Sequence, residues 1–472
     1  MLFTPFKINS ITLPNRLVVP AMVTRLSGED GFVNDAIRER YRRFAKGGAG
    51  LIVIEAMAVH QAKSGPLLRL GDDQFIPGQR DLAKLMHDSG PGKVVPQIIH
   101  FLKIARSGWR QKVDDLSLDD IREIARAYAA AAARAIKCGY DGVELHMAHA
   151  YTLSSFLSRL NPRRDDYGGS LENRLRLPLE VVAAVRAEIG REFPLGVRFL
   201  GEECIKGGAT VEDTRLIALA LAKAGVDYLS VSAGGKFEDA VHRPGEPLYP
   251  YTGYSGDRCM PGASYPDGAN LYMSTAIRAC LREHGQQTPV VATGKINTPQ
   301  MAEDILKRGD ADLIGMARPL LADPDWPRKV QAGQFDKVIR CCYANVCKAR
   351  DEHFQTVACF LWPKGASQAP ESDDLQPPQW PASGDGLKIE HKNGRIYLRW
   401  NAASDNEGVY GYDVFRAEGA GEFMRLTAVP GGLTTFIDGG CAPGVGYRYQ
   451  VKAYDFAGNR SAASQVVAAG TA

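Results

Sequence analysis

Several features are missing from this 472-residue sequence, and each absence narrows what it can be. No apolar run reaches the ~18 residues of a membrane-spanning helix, so no membrane partner is expected. Neither sign of charge dominates: 57 Lys and Arg against 54 Asp and Glu leave a formal net charge of +3, too little to point to nucleic acid. Cysteine is sparse, and nine in so long a chain do not make a disulfide scaffold. The amino terminus, Met1 to Ser10, shows no basic stretch followed by an apolar one, so a cytoplasmic location with reduced thiols is expected. No G-x-G-x-x-G turn follows an early strand, which disfavours an open dinucleotide-binding sheet. What remains is ordinary globular composition, 45% hydrophobic and 24% charged, with enough chain to bury a large core.

Within the first two-thirds, short β-branched runs alternate with longer Ala/Leu/Arg-rich segments of helical period. Eight strands are expected: Leu17–Ala21, Leu51–Val59, Val94–His100, Gly142–Met147, Leu195–Leu200, Asp227–Ala233, Val290–Gly294 and Leu313–Arg318. Several are nearly continuous apolar runs, as strands buried on both faces should be. Helices are clearest at Asp119–Lys137, Leu171–Ile189, Thr210–Ala224, Met273–Arg282 and Pro299–Lys307. This alternation predicts an α/β fold, a (β/α)8 TIM barrel. Beyond it lie a cysteine-containing segment and a Pro/Ser/acid-rich linker. Short strand-like runs then follow, with Gly/Asn turns and no helical stretch, which predicts a small all-β sandwich. The expected divisions are barrel 1–335, cysteine segment 336–366, linker 367–383 and sandwich 384–472.

In a parallel barrel the chemistry sits at the carboxyl ends of the strands. Glycine at Gly294, Lys295 after it, and Arg318 at the eighth strand suit a phosphate, because loops after strands seven and eight are the usual phosphate cradle. Arg198, aimed into the mouth, needs an anionic or carbonyl-rich partner. A phosphorylated ring cofactor satisfies all of these. His146 and His149 form an H-x-x-H pair at the fourth strand. They read either as metal ligands or as donors to a carbonyl or anion, with Tyr151 as proton donor. The metal reading lacks the second His pair on the first strand and the Asp at the eighth that metal-dependent hydrolase barrels usually add.

The motifs Leu13–Val18 (LPNRLV) with Ala21-Met22, Gln97, Glu144–Tyr151, Asn161–Arg174 (NPRRDDYGGSLENR), Arg198 and Gly315–Arg318 occur in order. In this the first ~330 residues, a barrel's length, resemble the old yellow enzyme family of FMN-dependent ene-reductases. The resemblance implies FMN across the barrel mouth. It puts Ala21, Met22 and Val23 on the flavin's backbone side, Ala56 and Gln97 at the ring, Arg198 at the N1/O2 edge, and Gly294, Lys295, Ala317 and Arg318 on the phosphate. His146 and His149 would hold the carbonyl of an enone or enoyl thioester, and Tyr151 would protonate its α-carbon. NAD(P)H is the expected electron donor, with a redox partner protein as the other source, and a homo-oligomer is the expected assembly. Val23 stands where relatives often have Cys or Thr, which puts flavin tuning in doubt, and Ala150 replaces a common Gly.

The branch most resembled, that of 2,4-dienoyl-CoA reductase, carries a 4Fe–4S cluster after the barrel and then a second flavin module. Here Cys341, Cys342, Cys347 and Cys359 supply four thiols. The gap from Cys347 to Cys359 matches, but Arg340 and Tyr343 occupy the positions of the first two ligands. An iron–sulfur cluster, zinc and no metal stand as alternatives. In place of a second flavin module, Trp400 and Tyr447–Ala453 resemble a fibronectin type III module, with Tyr447 as its corner tyrosine. An FMN-dependent ene-reductase is the leading reading. The alternatives are an FMN-dependent amine dehydrogenase or demethylase like the trimethylamine dehydrogenase branch, a metal-dependent hydrolase, and a non-catalytic binding protein.

Overall fold

A computed structural model describes residues 1–61, 65–102, 111–234, 256–363, 365–371, 374–392 and 394–470. Eight parallel strands close into a barrel in chain order: Leu17–Val19, Leu51–Ala58, Lys93–Ile99, Val143–Met147, Leu195–Glu202, Tyr228–Ala233, Val290–Ala292 and Leu313–Gly315. The second, fourth, fifth and sixth are buried at every residue, and the second, Leu51–Ala58, accordingly reads as a nearly continuous apolar run. The long helices Leu118–Lys137 and Leu171–Ile189 start at Ser117 and Ser170, whose side chains accept from the third helical N–H.

A hairpin of Phe6–Ile8 and Ile11–Leu13 packs Ile8 and Leu13 with Val18, Leu51, Val95, Tyr228 and Leu313 from the barrel strands. Several expected strand ends differ: the first strand stops at Val19 rather than Ala21, the fifth runs on to Glu202, and the second and third each stop one residue early. The seventh strand stops at Ala292, before Gly294, and the eighth stops at Gly315. Arg318 therefore lies in the helix Ala317–Ala322 rather than on a strand. Gly294, at φ +114°, departs from extended geometry, and that ends the ladder.

The chain divides into two compact units. One holds 1–320 and 343–357, and the other holds 321–342 and 358–472. The second contains a three-stranded antiparallel sheet (Lys388–Lys392, Arg395–Arg399, Thr435–Asp438). Its four-stranded antiparallel sheet is built from Val409–Glu418, Met424–Pro430, Gly446–Asp455 and Val467–Gly470. Ile396 and Leu398 of the first sheet share a core with Trp400 and with Tyr412, Val414, Tyr449 and Val451 of the second. The Tyr447 hydroxyl accepts from the Ala442 N–H at 3.0 Å. Trp380, at the end of the stretch read as a linker, packs on this core and donates to the Ala462 carbonyl. Among the described residues no helix is long and apolar enough to cross a membrane.

Candidate active site

The carboxyl end of the barrel gathers three groups of side chains. The first is apolar. Ala56, Ala58, Leu67 and Ile99 are buried together, with Val23, Phe101 and Tyr151 packed against them. Behind this wall the Glu55 carboxylate accepts from the Thr24 N–H (3.1 Å) and the Tyr41 hydroxyl (3.3 Å). Burial raises the Glu55 carboxyl to about 7, against the pull of these hydrogen bonds and of Arg40.

The second group is a line of polar side chains across strands three to six. Gln97 donates to Glu144 at 2.6 Å, and burial pushes the Glu144 carboxyl up while Arg198 and Gln97 pull it down. Strand register sets His146 beside Arg198 and Arg198 beside Ser230. Arg198 is only 8% exposed, and its guanidinium donates to Ser230 Oγ (3.1 Å) and Ser232 Oγ (3.2 Å). Ser232 Oγ also lies 2.7 Å from His149 Nε2, and His149 Nδ1 lies 3.2 Å from His146 Nε2. The Ala148 N–H donates to His146 Nδ1, so the His146 proton sits on Nε2 and passes the donor direction on to His149 and Ser232. Burial, reinforced by Arg198, pushes His146 down to about 3; burial, then His146 and Arg198, drive His149 well below its ordinary value. Both imidazoles are therefore neutral donors at neutral pH.

Tyr151 meets His146 edge to face at 5.1 Å and stands at the amino terminus of the helix Thr152–Leu157. His149 and Ala150, just before it, both have left-handed backbones (φ 58° and 62°), a local strain of the kind stored at functional sites. Thr152 is held from the third strand. Its hydroxyl lies 2.8 Å from His100 Nδ1, and its N–H donates to the His100 carbonyl.

The third group lies beyond strands seven and eight. A Cβ at Gly294 would sit 2.7 Å from Asn270 Cβ, so only glycine allows this close approach. Lys295 and Arg318 are each 7% exposed. Lys295 Nζ donates to the Ala263 (3.1 Å) and Tyr265 carbonyls, and Arg318 donates to the Pro261 carbonyl (2.7 Å) and Asn345 Oδ1 (2.5 Å). Asp267 lies 3.6 Å from Lys295 Nζ, so two buried cations against one carboxylate leave the cradle net positive.

Ser230 and Ser232, which tie Arg198 to the histidines, carry no sequence signal beyond alternation in Tyr228–Ala233. Of the cysteines read as metal ligands, Cys347 falls in the barrel unit, while Cys341, Cys342 and Cys359 fall in the second unit.

Among curated proteins the chain is 31% identical over 400 residues to an NADH oxidase of Thermoanaerobacter brockii, covering 80% of this chain and 58% of that protein. It is 30% identical to an N,N-dimethylglycine/sarcosine dehydrogenase of Chromohalobacter salexigens, covering 76% of this chain and 52% of that one. Among solved structures it resembles a 2-naphthoyl-CoA reductase in complex with 2-naphthoyl-CoA. The TM-score there is 0.65 and the identity 25%, over 76% of this chain and 56% of that one. The chain thus spans a little more than half the length of these relatives. A family profile matches residues 1–247 and 267–337, most of the barrel. The chain belongs to the NADH:flavin oxidoreductase / NADH oxidase family.

Proposed function

We propose that this protein is an FMN-dependent oxidoreductase that reduces an activated C=C bond, in an α,β-unsaturated carbonyl or an enoyl or dienoyl thioester. The observation that carries the reading is the continuous line Arg198–Ser232–His149–His146–Tyr151 at the barrel mouth. The donor set suits FMN. Arg198 is a buried cation that donates to the Ser230 and Ser232 hydroxyls, fitting the electron-rich edge of a flavin ring. The glycine at 294 and the cations of Lys295 and Arg318 fit a dianionic phosphate. Ala21, Met22, Val23, Ala56 and Gln97 would flank the ring, and Ala317 would join the phosphate end.

When bound, FMN supplies a hydride to the β-carbon of the substrate, drawn from NAD(P)H. The chain's own part is to make that carbon electrophilic and to complete the addition. His146 and His149, neutral and donor-capable, hold the carbonyl oxygen and then the enolate oxygen that develops. His149 reaches it by giving up Ser232, and His146 by turning its Nε2–H from His149 Nδ1 to the oxygen. Tyr151 delivers a proton to the α-carbon. The packed wall of Ala56, Ala58, Leu67 and Ile99 keeps water from the face where the apolar part of the substrate lies.

Support for a conjugated thioester comes from the 2-naphthoyl-CoA reductase likeness. The dimethylglycine/sarcosine dehydrogenase relative favours a second reading, amine oxidation on the same flavin. Anaerobic mixing decides between them. Reduction by NADH or NADPH, followed by reoxidation by an enone, supports the first reading. Reduction of the flavin by a secondary or tertiary amine alone supports the second. Cys341, Cys342, Cys347 and Cys359 are the proposed ligands of an iron–sulfur cluster. Iron and acid-labile sulfide assays on anaerobically purified protein test it, and their absence, with or without zinc, removes the cluster. The carboxyl-terminal sheets form a fibronectin type III-like module in this reading, with the redox chemistry confined to the barrel.

A further inference from the structure

The chain leaves the barrel unit at Leu320, returns to it for Tyr343–Val357, and leaves again. This return segment lies wholly beyond the residues matched by the family profile, which end at 337. It is anchored at both ends to parts of the barrel mouth. At its far end the Val357 N–H donates to the Thr24 carbonyl (2.8 Å), and Arg40 donates to the Val357 carbonyl (2.9 Å). Asp351 pairs with Arg25 at 2.7 Å, and the Arg25 guanidinium lies 4.6 Å from the Phe354 ring centre.

Its near end meets the two cations of the phosphate cradle. The Tyr343 ring, 4% exposed, has Lys295 Nζ at 4.9 Å and Arg318 Cζ at 4.7 Å from its centre. Asn345 bridges: its Oδ1 accepts from Arg318 (2.5 Å), and its Nδ2 donates to the Met260 carbonyl (2.7 Å). Tyr343 and Asn345 both hold left-handed backbones, φ 57° and 58°; asparagine adopts this region readily, but a tyrosine keeps it only when its surroundings enforce it. Two like charges repel when buried near one another. One π-face contact each and one amide oxygen offset part of that and fix where the heads point. Asp267, 3.6 Å from Lys295 Nζ, answers part of one charge, and an anion in the cradle would answer the rest.

We infer that Tyr343 and Asn345 are positioning residues for the flavin phosphate: the return segment orders Lys295 and Arg318 and so sets the affinity for the phosphate end of FMN. The inference rests on the FMN reading above and extends its site past the barrel. Riboflavin, which has the same ring and no phosphate, separates this role from general support of the fold.

The experiment strips the full-length protein of flavin and titrates it with FMN and with riboflavin. Asn345→Gly removes the amide while tolerating the left-handed backbone, and Tyr343→Leu removes the π-face. Each should weaken FMN roughly tenfold or more, the worth of a hydrogen bond to a charged group or a buried cation–π contact. Riboflavin affinity should stay within about twofold. Tyr343→Phe keeps the ring and should bind FMN as the wild type does. Asn345→Asp keeps the side-chain size and places a carboxylate on Arg318. It should weaken FMN selectively too, which keeps the test decisive if Tyr343→Leu does not fold. Parallel losses for both flavins, or wild-type FMN affinity in both Asn345 variants, overturn the inference while leaving the FMN reading standing. Wild-type protein that takes up neither flavin overturns both.

Discussion

His149 Nε2 lies 2.7 Å from the Ser232 hydroxyl, and that hydroxyl also accepts from Arg198. The serine thus occupies the imidazole N–H that a substrate oxygen would use. Binding an oxyanion there exchanges one hydrogen bond for another. Ser232→Ala removes the competitor, so a phenol, whose oxygen mimics an enolate, should bind several-fold more tightly to the oxidised protein, the ~1 kcal/mol worth of one hydrogen bond. Equilibrium titration of the visible flavin spectrum measures this. Weaker binding would show that Ser232 instead orients His149 for the ligand.

Ala150 adopts φ 62°, where an alanine is strained by roughly 1–2 kcal/mol and a glycine is not. Ala150→Gly should therefore raise the thermal unfolding midpoint or leave it unchanged, because greater unfolded-chain freedom offsets part of the relief. A drop of several degrees would show that packing of the Ala150 methyl outweighs the backbone strain.

Acid should destabilise the barrel unit. Burial lowers His60 to about 4 and His100 and His146 to about 3, and holds His149 well below its ordinary value. An unfolded histidine titrates near 6.5, so below that pH the unfolded chain binds protons that the folded chain refuses. The stability these residues contribute is fully present above pH ~6.5 and is lost as pH falls toward their folded values. Glu55 runs the other way. Raised to about 7, it favours the fold most below its ordinary carboxyl range and loses that advantage as pH rises toward 7. Four histidines outweigh one carboxyl, so the unfolding midpoint should fall between pH 7 and 5. His100→Asn should flatten that slope. A midpoint that is constant or rises over this range contradicts the assignment.

Much of the barrel was legible because Leu51–Ala58 and its neighbours are apolar on both faces, which leaves little but a buried parallel strand to explain them. The helix Asp35–Lys46 was harder to see. Its buried stripe includes Arg40 and Arg43 beside Ile37, Tyr41 and Phe44, so charge hides the period. Met424–Pro430 has only two buried residues in seven and gives a weak strand signal. His146, His149 and Tyr151 stand close in sequence and could be read together. Ser232 and Asn345 could not, since each acts through a partner 83 or 27 residues away. The placement of Arg318 on a helix was missed because Gly315–Arg318 reads equally well as the last turn of a strand and the first turn of a helix.

Tyr151 and the histidines should separate kinetically. Tyr151→Phe should retain flavin and phenol binding yet slow reoxidation of reduced protein by an enone by roughly 10²-fold or more, the share of a general acid. His146→Ala combined with His149→Ala should lose phenol binding and rate together, because the oxyanion donors are gone. A Tyr151→Phe variant that reoxidises at the wild-type rate would place the proton source elsewhere, in solvent or another side chain.

The central claim is that the barrel mouth passes a hydride to an activated C=C bond. Its most direct test is one anaerobic single-turnover experiment on the intact protein. Protein reduced by NADH or NADPH is mixed with an enone or an enoyl thioester, the flavin spectrum is followed, and the organic product is identified. The account predicts stoichiometric flavin reoxidation with formation of the saturated carbonyl compound. Flavin that stays reduced with every conjugated carbonyl tested, yet is reduced from the oxidised form by an amine, would contradict it.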